Sequence, residues 1–140
     1  MRTLIVGATG SRKQPRPHQV TSMMDWILQN KEYIKEAHHG DCIGWDFAFH
    51  KAIANHSAEI EIHIHPPKYP KYRSFAQLYP HAENKIVVHE EKEYLERNDD
   101  IVQVAETMIC GPKDLNRTKS GTWYTIRKAV EAKKQLIIFM

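Results

Sequence analysis

Six short apolar runs alternate with four stretches of helical periodicity along the whole chain, and few folds accommodate that alternation. The runs fall at residues 3–6, 34–37, 60–64, 85–88, 107–110 and 136–139, and the helical stretches at 18–30, 45–56, 91–105 and 121–134. In the first helical stretch Val20, Met23, Met24, Ile27 and Leu28 gather on one face; in the third, Tyr94, Leu95, Ile101, Val102 and Ala105 do so. Strands separated by helices must cross over, which makes them parallel, and right-handed crossovers put helices on both sides of the sheet. The expected architecture is α/β, a three-layer Rossmann-like sandwich with a mostly parallel sheet. At 140 residues the chain makes a single domain, 1–140, long enough to bury a core without staples. No internal repeat, low-complexity tract or linker divides it. The stretch 66–82, rich in Pro, Tyr and Lys, is long for an irregular connection and is expected to form a rim loop or lid.

Twenty Lys and Arg against 17 Asp and Glu leave a formal charge of +3, too mild for a nucleic-acid signature by itself. Nine histidines raise that charge below about pH 6.5. Cys42 and Cys110 stand outside any metal or redox spacing, which points to a reducing compartment. The chain opens on a strand with no basic-then-apolar leader, and no apolar run approaches the roughly 20 residues of a membrane span. The expectation is a soluble cytoplasmic protein with no membrane partner.

Ligands of open parallel sheets bind beyond the carboxyl ends of the strands. That edge gathers the turn Gly7-Ala8-Thr9-Gly10-Ser11-Arg12, then His38-His39-Gly40-Asp41, His65-Pro66-Pro67, Gly111-Pro112-Lys113 and Ser120-Gly121-Thr122. In the first turn the glycines let backbone approach a ligand, while Thr9, Ser11 and Arg12 offer hydroxyls and a guanidinium fork to phosphate. It lacks the Lys-Ser/Thr ending of a P-loop and the full spacing of a dinucleotide fingerprint. Ser120-Gly121-Thr122 opens the last helix, where unpaired amides and the positive end of the peptide dipoles make a seat for an anion. Two such turns in so short a chain point to a nucleotide-like ligand.

Other residues carry weaker signals. Asp41 can cap a helix or take a ligand hydroxyl. Asp46 and His50, at i,i+4, have the spacing of half a catalytic pair, but the plainer reading is a hydrogen bond locking that helix to a neighbouring loop. His63 and His65 share one strand face, and His38, His39 and Asp41 end nearby, so zinc is conceivable. Nothing supplies a compact ligand spacing, and neither a metal nor a cofactor is expected. Lys68, Tyr69, Lys71, Tyr72, Arg73 and Tyr79 mix cations with aromatics, a combination that stacks bases or grips phosphates and equally suits a solvated loop. Arg97 can reach the cleft or pair with Glu93 at i,i+4 on the surface.

Taken together, these stretches resemble the SLOG superfamily, the Rossmann-like group that includes the "lonely guy" phosphoribohydrolases and the Rossmann domain of DNA-processing protein A. The resemblance covers nearly the whole chain. Gly44, Asp46 and His50 are similar to a Gly-x-Asp-x-x-Ala-His pattern of the DNA-processing protein, with the intervening positions shifted by one. Ser120-Gly121-Thr122-Trp123 is similar to the Gly-Gly-x-Gly-Thr phosphate loop of the phosphoribohydrolases, its first glycine pair thinned to Lys119-Ser120. Small bacterial and phage proteins of the group share the whole combination. In the phosphoribohydrolases a Glu that works on the ribose follows the Gly-Thr pair by three residues; here Thr125 stands in that place. Phosphate binding by amides and hydroxyls survives that change, whereas glycosidic cleavage loses its carboxylate.

The resemblance implies a protein that binds a nucleotide or nucleotide-derived small molecule, as a sensor or as a binder that withholds a signal. Its ligand set is Gly7, Thr9, Gly10, Ser11, Arg12, His39, Gly40, Asp41, Arg97, Ser120, Gly121 and Thr122, with Trp45 or Trp123 against the base. The alternative is a nucleoside 5′-monophosphate N-glycosidase in which Asp41 or Glu93 replaces the missing Glu. Single-stranded DNA is a third partner, opposed by the mild charge and the lack of a basic stripe. Relatives often pair through their helices, so a homo-oligomer is expected.

Overall fold

A computed structural model describes residues 1–80, 83–114 and 120–140; Lys119, where the thinned glycine pair begins, and the end of the expected rim loop lie outside them. Six strands make one sheet: β1 (Leu4–Gly10), β2 (Ile34–His39), β3 (Glu61–Ile64), β4 (Ile86–Val88), β5 (Thr107–Gly111) and β6 (Gln135–Ile138). Their order is β4-β3-β2-β1-β5-β6 and every pairing is parallel. Four helices supply all the crossovers but that from β3 to β4: α1 (Pro17–Asn30), α2 (Trp45–His56), α3 (Tyr94–Val104) and α4 (Gly121–Glu131). The expected α/β sandwich is what the chain forms.

Side-chain alternation divides the core into two halves. Val6, Ala8, Ile62, Ile64 and Ile109 pack against Met23 and Ile27 of α1 and Phe49 and Ile53 of α2. On the opposite face Met108 and Cys110 meet Ile101 and Val102 of α3 and Trp123 and Ile126 of α4. Each fully buried aliphatic side chain contributes about 1.5–3 kcal/mol, so these two clusters drive the fold. Among the described residues no helix is long and apolar enough to cross a membrane.

Sequence expectation and structure part company at element ends. Helix α1 begins at Pro17, whose missing N–H costs nothing in a first turn. Gln19 then returns its side-chain oxygen to the Arg16 amide and donates to the Pro112 and Phe139 carbonyls, tying α1 to the ends of β5 and β6. Leu28, expected on the apolar face, is exposed. In α3 the departure is larger: Tyr94 and Leu95 are exposed while Arg97 and Asn98 are buried, so the helix docks partly through polar side chains. The connection between β3 and β4 contains no α-helix among its described residues. It folds back as two short 3-10 turns, 70–72 and 76–78, anchored by buried Ala76. Consequently one face of β2, β3 and β4 lacks the cover that α3 and α4 give β1 and β5.

Candidate functional site

In this strand order the chain leaves β1 toward β2 on one side and β5 toward β6 on the other. The loops after β1 and β5 therefore diverge, which is where doubly wound folds open a crevice. A cleft of about 300 Å³ lies there, walled by Gly10–Lys13 on one side and by Lys113, Asp114 and Ser120–Trp123 on the other, with Tyr94 of α3 closing it.

The first wall is held by backbone. The Ser11 amide donates to the Gly111 carbonyl at 3.0 Å, and the Trp45 amide donates to the Ser11 carbonyl at 3.0 Å. Gly10 and Gly111 flank the Trp45 indole so closely that a Cβ on either would overlap the ring. Gly44, at φ 86°, gives the left-handed turn into α2, and a side chain there would strike the Ser11 and Arg12 backbone. In the second wall the Ser120 hydroxyl caps α4, accepting from the Thr122 amide at 3.1 Å and the Trp123 amide at 3.5 Å. The expectation of free amides is corrected accordingly: a side-chain oxygen already occupies the place an anion oxygen would take.

Two lysines that reach the cleft were absent from the expected ligand set. Lys113 is held below its ordinary pKa by the close approach of the Lys13 ammonium, with Asp114 acting the other way. Both cations are exposed and face one region. A smaller apolar pocket of about 180 Å³ adjoins the cleft, sharing Arg12 and Tyr94 with it and adding Cys42, Pro67, Tyr69 and Tyr72. The Arg12 guanidinium lies 4.0 Å from the centre of the Tyr72 ring.

Of the expected ligand residues, Gly10, Ser11, Arg12, Ser120, Gly121 and Thr122 line the cleft. The others serve the scaffold. Gly7 lies inside β1, where a Cβ would meet Met108, Ile101 and Ala105. Thr9 is a buried strand residue beside Cys110. His39 is fully buried against His50, with 2.7 Å between ring nitrogens, and its Nδ1 accepts from the Asp41 amide at 2.9 Å. Burial, then the neighbouring His50, lowers its pKa well below the ordinary value, so it stays neutral. Gly40 makes room for the Arg97 guanidinium, which donates to the Gly40 carbonyl, to the His65 carbonyl at 3.1 Å and to Asn98 Oδ1 at 2.7 Å. Arg97 thus fastens α3 to the ends of β2 and β3 rather than reaching the cleft.

Neither proposed replacement carboxylate is placed for glycosidic chemistry in this cleft. Asp41 is fully buried: Arg73 Nε donates to it at 2.5 Å, the Ser74 hydroxyl at 2.8 Å and the Ala76 amide at 2.9 Å. Glu93 precedes α3 on the surface and pairs with Lys68 at 3.5 Å, not with Arg97. Thr125 turns inward, its hydroxyl donating to the Gly121 carbonyl at 2.9 Å. Trp45 is fully buried and donates to the Ile109 carbonyl, so it offers no ring to a base; Trp123 lines the cleft, its indole N–H on the Asp114 carbonyl. Asp46 plays the plainer of its two expected roles, accepting from the Gly40 and Cys42 amides at 3.1 and 3.3 Å. Burial pushes its pKa up to about 6.

A second polar assembly occupies the uncovered face of β2–β4. Glu36 and His38 on β2 stand beside Glu61 and His63 on β3, with His65 and His89 just past the ends of β3 and β4. His38 and His65 have pKa values lowered to about 3, first by burial and next by neighbouring imidazoles. His89 and the two glutamates carried no signal in the sequence beyond their period-2 spacing.

No protein-family model matches the chain, and no curated protein matches it. Solved structures of other proteins share its fold. The molybdenum cofactor binding protein of Rippkaea orientalis superposes with TM-score 0.70 at 17% identity, covering 99% of this chain and 77% of that one. DNA processing protein A of Streptococcus pneumoniae gives 0.70 at 18% identity over 96% of this chain, which spans only 50% of that protein. The same protein from Helicobacter pylori, known for its single-stranded DNA binding mode, gives 0.66 at 18%, covering 96% and 64%. With this strand order, these crossovers and these structural neighbours, the chain has the Rossmann-like fold those proteins share.

Proposed function

We propose that the cleft at the β1/β5 switch point binds a phosphorylated, nucleotide-like small molecule, with its anionic group between the two turns and its planar ring toward the tyrosines. The observation that carries this reading is the meeting of Lys13 and Lys113 across a cleft that also holds Arg12 and the N-terminus of α4. A cation crowded by a like charge is relieved by an anion seated between the two. The Ser120 hydroxyl marks the amides that a phosphate oxygen would use, and a phosphate on those amides offsets the roughly 1 kcal/mol of the displaced cap. The adjoining pocket supplies Tyr72, Tyr94 and Tyr69 to a planar ring. A neighbour that binds a molybdenum cofactor supports a small-molecule ligand; a neighbour that binds single-stranded DNA makes a nucleic-acid strand the competing occupant.

The test is thermal denaturation with mono-, di- and cyclic nucleotides, inorganic phosphate and a short oligothymidylate. A ligand at about 100 times its Kd adds about 2.7 kcal/mol, a readily measured rise in Tm. Lys113→Glu, an exposed position, should abolish the rise for nucleotides while leaving the unliganded Tm nearly unchanged. Binding that survives Lys113→Glu, or a Tm moved by none of these compounds, would sink the reading. A response to the oligonucleotide alone would transfer the site to DNA. Release of free base from any monophosphate would make it a hydrolase.

A further inference from the structure

The histidines on the uncovered sheet face form two parallel relays. Glu36 Oε1 lies 2.8 Å from His38 Nε2, and His38 Nδ1 lies 2.8 Å from His65 Nε2. Glu61 Oε1 lies 2.7 Å from His63 Nε2, and His63 Nδ1 lies 2.8 Å from His89 Nε2. The His65 and His89 rings stack at 4.1 Å, only 5° from parallel, which brings the two relays together at their outer ends. His38, His65 and His89 each present a ring nitrogen within 4.8 Å of the others. They open onto a cleft of about 550 Å³ rimmed by Lys92 and Asp100.

We propose that His38, His65 and His89 bind a divalent transition metal of the zinc class, with Glu36 as the carboxylate that orients His38. Imidazole nitrogens bound to one zinc at about 2.0–2.1 Å stand a little over 3 Å apart, so nitrogens within 4.8 Å of one another share an ion once they draw together and the stacked His65 and His89 rings tilt. Two facing nitrogens at 2.8 Å share one proton between neutral rings; when a metal takes both lone pairs, that proton moves to the other nitrogen of His65. A carboxylate hydrogen-bonded to the far nitrogen of a liganding imidazole sets its tautomer and raises its basicity, and Glu36 stands there. The open cleft leaves a fourth position for water or an anion. The site shares no lining residue with the β1/β5 cleft, so it stands or falls apart from the nucleotide reading.

The chain, stripped by a chelator, is titrated with Co²⁺ by visible absorption and with Zn²⁺ by calorimetry. One ion per chain is expected, with the intense absorption of four-coordinate Co²⁺. His65→Gln and His89→Gln should each weaken Zn²⁺ binding by at least about tenfold, and Glu36→Gln by roughly 10–100-fold, the usual cost of losing an orienting partner. His18→Gln, on the exposed start of α1, should keep the wild-type affinity and so exclude adventitious surface binding. His89 is only partly buried, so its variant reports on the site even where His65→Gln fails to fold. Failure of the wild-type chain to bind one ion, or equal affinity in His89→Gln, overturns the proposal.

Discussion

Asp41 and Asp46 show how far single residues speak for themselves. An Asp that follows Gly at a strand end reads as a ribose ligand, and the identity of Asp41 is consistent with that. Its partners Arg73, Ser74 and Ala76 come more than thirty positions later, from a connection with no periodicity to announce where it folds back. The role of Asp46 was more legible, because a carboxylate in the first turn of a helix normally serves backbone amides nearby. Its pKa has a consequence for stability. Asp46 Oδ2 accepts two amides, whereas Oδ1 is buried with no hydrogen-bond partner among the described residues. A carboxyl raised from 3.8 to about 6 binds its proton more tightly in the folded than in the unfolded state. Stability contributed by this group is therefore present below pH 4 and is lost as pH rises toward 6. Asp46→Asn keeps the shape and the acceptor but removes the titration. Its stability relative to the wild type should improve by on the order of 1 kcal/mol between pH 5 and pH 7, read from denaturant midpoints at the two values. Parallel pH profiles for the two proteins would mean that Asp46 is solvated rather than buried.

At the scale of elements, strand and helix positions follow from the apolar period, and every element lies within a few residues of its expected place. What periodicity could not show is why so many glycines sit at strand ends. Gly10 and Gly111 resemble ligand-cradling glycines, yet both leave space for Trp45, the first residue of α2, which thereby wedges beneath the cleft. Gly111→Ala should cost several kcal/mol by overpacking, about 1–3 kcal/mol being typical where neighbours can yield. In a Trp45→Phe background the same change should cost markedly less, since the smaller ring vacates the contested volume; a double-mutant cycle by chemical denaturation gives the coupling. Strictly additive costs would show that the ring is not what the glycines accommodate. Helix α4 supports a different prediction. Ser120→Ala removes the cap and should destabilise the unliganded chain by about 1 kcal/mol. It also releases the amides of Thr122 and Trp123, so inorganic phosphate should restore more of the lost Tm than it adds to the wild type. A phosphate response smaller than the wild type's would place the anion elsewhere.

For the whole molecule, the alternation of runs and helices sufficed for the sandwich, but not for its asymmetry. A chain that crosses from β3 to β4 through short turns leaves half of one sheet face without a helix, and the sequence filled that face with Glu36, His38, Glu61 and His63 in place of apolar residues. Period-2 spacing was visible there, but a polar strand face reads as solvent-facing until the missing crossover is known. Cohesion should fall off along the sheet for the same reason. Central β1 is bonded on both sides, by β2 and β5, and its Val6 and Ala8 reach the larger core cluster. Edge β4 has three residues, pairs only with β3, and exposes Val88. Local opening should therefore release β4 well before global unfolding, while β1 and β5 exchange only through it. In the metal-stripped chain, amide hydrogen exchange should be on the order of 100-fold faster in β4 than in β1, a gap of a few kcal/mol in opening free energy. Saturating Zn²⁺ should narrow that gap, because an ion held by His38, His65 and His89 joins the ends of β2, β3 and β4 into one cooperative unit. Equal protection of β4 and β1 in the stripped chain would show that the sheet opens as a whole, and that the uncovered face costs it nothing.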